Sequence, residues 1–146
     1  MKYVYAIIAV LGFSFVSVAF AADQTKVVKG WYAEYNTASV LYSAGPKKGQ
    51  ELTMECVLGG WTFAYADKMG EEINSVDDDM TILVDGAAFA VPKTQGQREK
   101  LYAAIQHAKS GIQYKTHAYG ASVVFPVDGL AEMFRDLPFE VSPCMS

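Results

Sequence analysis

The sequence predicts an α+β domain made mainly of antiparallel β-sheet, either a sandwich or a partly open barrel, with one longer and one short helix. Short segments with alternating apolar and polar residues, separated by glycine-containing turns, predict the strands. Residues 96–109 change to helical spacing, with Leu101, Ala104 and Ile105 on one face. The chain also contains two cysteines, Cys56 and Cys144, an even number that allows one disulfide.

The first 21 residues have the pattern of a secretory signal. Lys2 precedes an apolar run, and Ala19 and Ala21 provide an A-x-A cleavage site. An uncleaved membrane anchor fits less well, because two serines interrupt the run and no basic cluster follows it. We therefore expect export to the periplasm or secretion, with residues 22–146 forming one globular domain that is not inserted in a membrane.

The strand predictions depend on alternation and on β-branched and aromatic content. They cover residues 26–35, 40–42, 52–56, 61–66, 80–84, 87–91, 112–118 and 121–127. In the third of these strands, the alternation turns Cys56 toward the core. Gly59-Gly60 and Asp85-Gly86 mark hairpins, and residues 45–49 mark another turn. The polar, acidic stretch 67–79 is expected to be a loop.

Two segments complete the predicted fold. The helix at 96–109 is expected to stop at Ser110-Gly111, because glycine is common just past a helix end. Near the C-terminus, Leu130, Met133 and Phe134 fit a short amphipathic helix that Pro138 closes.

Charge and cysteine content limit the functional classes. The net charge is −4, and it becomes −5 once Lys2 is removed with the signal. No basic stripe is present, so nucleic-acid binding is not expected. In an oxidising compartment Cys56 and Cys144 are expected to be bonded, closing a loop of about ninety residues and stabilising the fold by roughly 4 to 5 kcal/mol.

Patterns typical of catalysis and metal binding are not met. The acidic residues at 71–79 lack the spacing of an EF-hand loop, which favours a solvated loop. His107 and His117 are the only histidines, and a zinc site would need two further ligands. There is no G-x-S-x-G elbow and no glycine-rich phosphate loop. We therefore predict a non-catalytic protein without metal or cofactor, although carboxylates paired only in space leave an enzyme open.

The segment Ser110-Gly111-Ile112-Gln113-Tyr114 has two interpretations. In the first, Gly111 caps the preceding helix and Tyr114 is a core residue of the next strand. In the second, the S-G-x-x-Y pattern, with the early Cys56 and the distant Cys144, resembles the bacterial lysozyme inhibitors of the membrane-bound and periplasmic types. That resemblance implies a loop in which Ser110, Gly111 and Tyr114 bind a protein partner, with the serine and tyrosine side chains donating hydrogen bonds to the catalytic carboxylates of a lysozyme.

The match to the inhibitors is incomplete. One family pattern continues with W-x-K-G, whereas residues 125–129 here keep an aromatic residue and the glycine but have Asp128 in place of the lysine. An aspartate would repel carboxylates.

A second resemblance is one of layout. The early cysteine strand, the hairpin at 84–86, a helix, two strands and the stretch ending at Gly129-Leu130 resemble the invasion-associated locus B type of periplasmic protein. This implies an envelope structural or stress-response protein without an inhibitory loop. The first functional expectation remains an exported inhibitor or immunity-type protein acting on a lysozyme-like or other envelope hydrolase. Neither resemblance determines the oligomeric state.

Overall fold

The computed structural model describes residues 24–145. The predicted signal, residues 1–21, lies outside this range. Among the residues described, no helix is both long and apolar enough to span a bilayer. Over residues 24–145 the fold is α+β and mainly β, with two antiparallel sheets, two α-helices and one disulfide, so the predicted fold class and the disulfide are confirmed.

The larger sheet contains six strands in sequential order, each antiparallel to the next. They are β1 (Gln24–Val28), β2 (Trp31–Tyr35), β3 (Ser39–Lys47), β4 (Gln50–Val57), β5 (Gly60–Ala66) and β6 (Glu72–Asn74). Sequential order follows from short hairpins, because a tight turn can only return the chain beside the strand it has just left.

The smaller sheet has the order β10-β9-β7-β8. Its strands are β7 (Met80–Val84), β8 (Ala87–Ala90), β9 (Ile112–Thr116) and β10 (Gly120–Ala121). The chain leaves this sheet after β8 through helix α1 (Gln95–His107) and returns in β9, which pairs with β7 over its whole length.

Local interactions explain where α1 begins and how the two helices pack. Thr94 begins α1 with a capping box, in which its side chain accepts from the Gln97 backbone and the Gln97 side chain accepts from the Thr94 backbone. The second helix, α2 (Asp128–Asp136), buries an apolar face, and a 3-10 turn (Phe139–Val141) follows it. Gln106 and Phe134 join the two helices through a side-chain to backbone hydrogen bond of 2.9 Å.

The core lies on one face of the six-stranded sheet. Trp61 and Tyr42, on inward positions of β5 and β3, contact Tyr102 of α1 and Phe134 of α2 respectively. Phe63 of the same face packs edge-on against Tyr114 of β9. The smaller sheet and both helices thus cover the inner face, and the side chains that alternate with this core point to the opposite, outer face.

Several predicted boundaries were wrong. Residues 26–35 form two strands, because Lys29 and Gly30 both adopt positive φ and make a two-residue hairpin turn. The stretch 67–79 contains the short strand β6. Residues 121–127 form a strand only at Ala121; beyond it, Phe125 exchanges two backbone hydrogen bonds of 2.9 Å with Ile112.

Candidate functional site

The Asp85 carboxylate, in the β7–β8 turn, binds the segment that follows α1 through hydrogen bonds. Asp85 accepts from the backbone N–H groups of Lys109 (2.8 Å), Ser110 (2.8 Å) and Gly111 (3.0 Å). It also accepts from the Ser110 hydroxyl at 2.9 Å, and its own N–H donates to the Gly111 carbonyl at 2.8 Å. The donor capacity of the Ser110 hydroxyl is therefore used within the protein.

The charge of Asp85 is stabilised by these donors. Desolvation raises the pKa of its carboxyl, but the backbone N–H groups of residues 109–111 and the Ser110 hydroxyl together outweigh that effect and lower the pKa to about 2. The interaction was not expected from the sequence, where Asp85-Gly86 signalled only a turn. Twenty-four residues or more separate the partners, so no local pattern reports their contact.

Gly111 is favoured for a reason other than helix capping. The α1 cap is Ala108, three residues earlier, and Gly111 does not have positive φ, so the expected glycine cap is wrong. A Cβ at position 111 would overlap Val124 Cγ1 and lie 3.2 Å from the Phe125 carbonyl oxygen. Close approach of the 122–127 segment is thus what favours glycine.

Tyr114 lies between the two sheets. Its exposed fraction is 0%, and its ring meets that of Phe63 edge-on at a centroid distance of 5.4 Å. No described residue accepts or donates a hydrogen bond at its hydroxyl, and burial raises the pKa of the phenol. Ser110, by contrast, is exposed. The structure therefore does not present the Ser110 hydroxyl and the Tyr114 phenol on one exposed loop, and Tyr114 has the place that the core-strand interpretation assigns to it.

The histidines lie on separate elements. His107 is in the last turn of α1, where Nδ1 is 2.8 Å from the Ala103 carbonyl oxygen, and His117 is exposed in the turn after β9. Within residues 24–145, no three His, Cys, Asp or Glu side chains are grouped so that they could hold a metal ion.

The disulfide holds the C-terminal residues against the larger sheet. Cys56 and Cys144 are both fully buried, with their Cα atoms 4.8 Å apart. Trp61 Nε1 donates to the Cys144 carbonyl oxygen at 2.8 Å, and the Gly59 N–H donates to the Pro143 carbonyl at 3.1 Å. A buried disulfide is typical of proteins that fold in an oxidising compartment.

The outer face of the six-stranded sheet carries a groove that sequence reasoning missed. It has a volume of about 540 Å³ and runs over β3 to β6. Small, apolar and acidic side chains line it: Leu41, Thr53, Glu55, Thr62, Ala64, Glu72, Asn74, Val76 and Asp77. The alternation in β4 indicated that one face would be exposed, but the pairing of six strands is needed to bring these residues together.

One side of the groove is built by a local turn. The Asn74 side-chain oxygen accepts from the N–H groups of Val76 (2.9 Å) and Asp77 (3.0 Å), and its amide donates to the Asp77 carboxylate (3.0 Å). This turn fixes the backbone at Val76, whose side chain lines the groove and is 77% exposed, and Ala64, 8% exposed, also lines it.

A second depression, of about 380 Å³, lies where β1 and β2 approach the end of α2. Lys26 there donates to Asp136, and this hydrogen bond is the main cause that raises the pKa of the lysine. The two charges neutralise each other at the surface.

No protein-family model matches this chain, and no curated protein or solved structure shows significant similarity to it.

Proposed function

We propose that this chain is an exported, non-catalytic binding protein that acts on a protein partner in the cell envelope through the outer face of its six-stranded sheet. A lysozyme-like or other envelope hydrolase is the first partner to test. The single observation that carries the proposal is the division of the large sheet into a fully packed inner face and an open outer face with a groove.

An open sheet face of this kind supports binding for a physical reason. The outer side chains include Val27, Tyr32 and Val57, all substantially exposed, together with Val76 at the groove. Apolar side chains that lie on one surface with polar neighbours are typical of protein interfaces. The disulfide and the packed inner face make the surface rigid, which lowers the entropy lost on binding.

Tyr114 is buried, and its phenol does not line the groove on the outer face where this proposal places the partner. The buried position of Tyr114 supports the second candidate, an envelope protein of structural or stress-response type without an inhibitory loop. The two candidates differ in whether the partner is an enzyme whose activity falls on binding.

The experiment uses purified residues 22–146 and a panel of purified lysozymes and other peptidoglycan hydrolases. Complex formation is measured by calorimetry, and lytic activity is titrated against the protein. A hydrolase partner is expected to lose activity stoichiometrically. A pull-down from periplasmic extract, followed by purification of the captured protein and the same calorimetry, tests the second candidate.

Two variants locate the surface. Thr62→Arg places a long side chain on the outer face, whereas Ala103→Arg places the same side chain on an exposed position of α1. We expect the first to weaken binding and the second to leave it unchanged. Equal binding by both variants would exclude the outer face, and the absence of any partner in both assays would exclude the binding function.

A further inference from the structure

The geometry points to a specific partner chemistry: we infer that the outer groove binds an extended segment of a protein partner that is rich in lysine or arginine and carries apolar side chains. The segment lies across the strands. This inference rests on the proposed function and names the kind of surface that the partner presents.

The strand register places acidic side chains on both sides of apolar ones. Leu41 pairs with Glu34 on β2 and with Glu55 on β4. Residues directly opposite on neighbouring strands have Cβ atoms about 5 Å apart, so Leu41 lies between two carboxylates. The same arrangement recurs further along the strands, where Ala66 pairs with Glu51 and Glu72.

A neutral row separates these two acidic rows. It consists of Ser43, Thr53, Ala64 and Asn74, each paired with the next across β3 to β6. Along β4 the acidic rows are four residues apart, or about 13 Å at the rise of a β-strand. That width accommodates one extended polypeptide, whose basic side chains would reach the carboxylates that flank it.

Among the residues described, the strands of this sheet place no cation on this face. Its strands contain two lysines, and both bond elsewhere: Lys26 donates to Asp136 of α2, and Lys47 donates to the Val124 carbonyl oxygen at 2.7 Å. In the part of the chain that the structure describes, no ion pair involves Glu34, Glu51 or Glu55. The same holds for Glu72 and Asp77. Mutual repulsion among these carboxylates is therefore relieved when a basic segment binds.

The groove also has an apolar component, so charge is not its only basis for selection. Val76 and Leu41 line it with Ala64 between the acidic rows. The Val76 side chain is 77% exposed, and its backbone N–H donates to the Asn74 side-chain oxygen. A partner segment gains by burying an apolar side chain against this patch while its neighbouring lysine or arginine side chains meet carboxylates.

The test uses synthetic peptides of about eight residues, long enough to cross four strands spaced about 4.8 Å apart. One peptide alternates Lys with Leu, a second has Glu in place of Lys, and a third has Gly in place of Leu. Binding to residues 22–146 is measured by calorimetry and by NMR shifts at low and high salt. We expect only the Lys–Leu peptide to bind well, with shifts at Ala64 and Val76 and an affinity that falls with salt.

Two double variants change the net charge equally and so distinguish binding by the groove carboxylates from attraction to the overall negative charge of the protein. Glu55→Lys/Glu72→Lys reverses charges in the groove, and Glu99→Lys/Glu140→Lys reverses exposed charges on α1 and the 3-10 turn. We expect the first to weaken binding at least about tenfold and the second less than about twofold. Val76→Ser is expected to weaken binding several-fold without affecting the fold, since its side chain is mostly in solvent.

Three results would overturn the inference. They are equal losses in the two double variants, equal binding of the Glu–Leu peptide, and displacement of the Lys–Leu peptide by millimolar calcium chloride with shifts at the same residues. The proposed function is tested apart from this. An envelope partner that binds Glu55→Lys/Glu72→Lys as it binds the parent leaves that function in place and excludes only the basic segment.

Discussion

Tyr114→Phe is expected to stabilise the protein. The hydroxyl that this change removes is fully buried and has no hydrogen-bond partner among the described residues. Burying such a group costs about 1 to 3 kcal/mol, whereas the ring and its edge-on contact with Phe63 remain. Part of the gain is lost with the contacts of the oxygen atom, so we expect the free energy of unfolding to rise by about 1 kcal/mol.

Tyr114→Ala at the same position is expected to destabilise the protein. It removes a buried aromatic ring and is expected to lower the free energy of unfolding by about 3 to 5 kcal/mol. Tyr119→Phe is the matched control, because Tyr119 is 61% exposed and the loss of its hydroxyl is expected to change stability by less than about 0.5 kcal/mol.

Urea unfolding with the disulfide intact, followed by circular dichroism, measures all three variants. The midpoint should move while the slope stays constant, since the surface exposed on unfolding is nearly unchanged. If Tyr114→Phe lowers the free energy of unfolding by about 1 kcal/mol or more, the hydroxyl makes a stabilising hydrogen bond and its assignment as an unpartnered buried group is wrong. A lysozyme titration of the same variant is informative, because the inhibitory-loop interpretation requires the phenol and the core interpretation does not.

Three further changes follow from the packing and electrostatics. Reduction of the Cys56–Cys144 bond should lower the free energy of unfolding by about 4 kcal/mol, measured by urea unfolding with and without reductant. Asp85→Asn should cost about 1 kcal/mol at pH 7, a value reduced to allow for the exposed position of the carboxylate. Because the folded pKa lies below the unfolded one, this difference should disappear as the pH falls from about 4 to about 2. Gly129→Ala should lower the free energy of unfolding by about 1 to 3 kcal/mol, because a Cβ at 129 overlaps a backbone carbonyl. Gly111→Ala should lower it by less, because a Cβ at 111 overlaps a valine methyl that can move.

Each of these has a contrary result. An unchanged urea midpoint after reduction would mean that closing the long loop with the disulfide does not lower the entropy of the unfolded chain. A cost of Asp85→Asn that persists at pH 2 would assign the effect to shape and not to charge. Equal costs for the two alanine variants would show that the backbone near Gly129 yields as readily as the side chain near Gly111.

Local chemistry was enough to predict the fold class and most strands. Alternation with a period of two reports which face of a strand is buried, so Cys56 was correctly placed in the core. Asp85-Gly86 correctly marked a hairpin, because both residues adopt the positive φ that such turns require. The same rule was missed at Lys29-Gly30, where lysine is an uncommon residue for positive φ, and two strands were therefore read as one.

The candidate site depended on contacts that no local pattern contains. The sequence left Tyr114 open between a binding loop and a core strand, and the pairing of β9 with β7 placed it between the sheets. Asp85 accepts hydrogen bonds from residues 109–111, which are more than twenty positions away in the chain. The outer groove needs the register of six strands, because acidic and apolar residues become neighbours only when Glu34, Leu41 and Glu55 are paired side by side. Sequence periodicity thus determined which residues could share a face, and the tertiary pairing alone decided which of them meet, since hydrogen bonds and burial act between residues that the chain brings together only on folding.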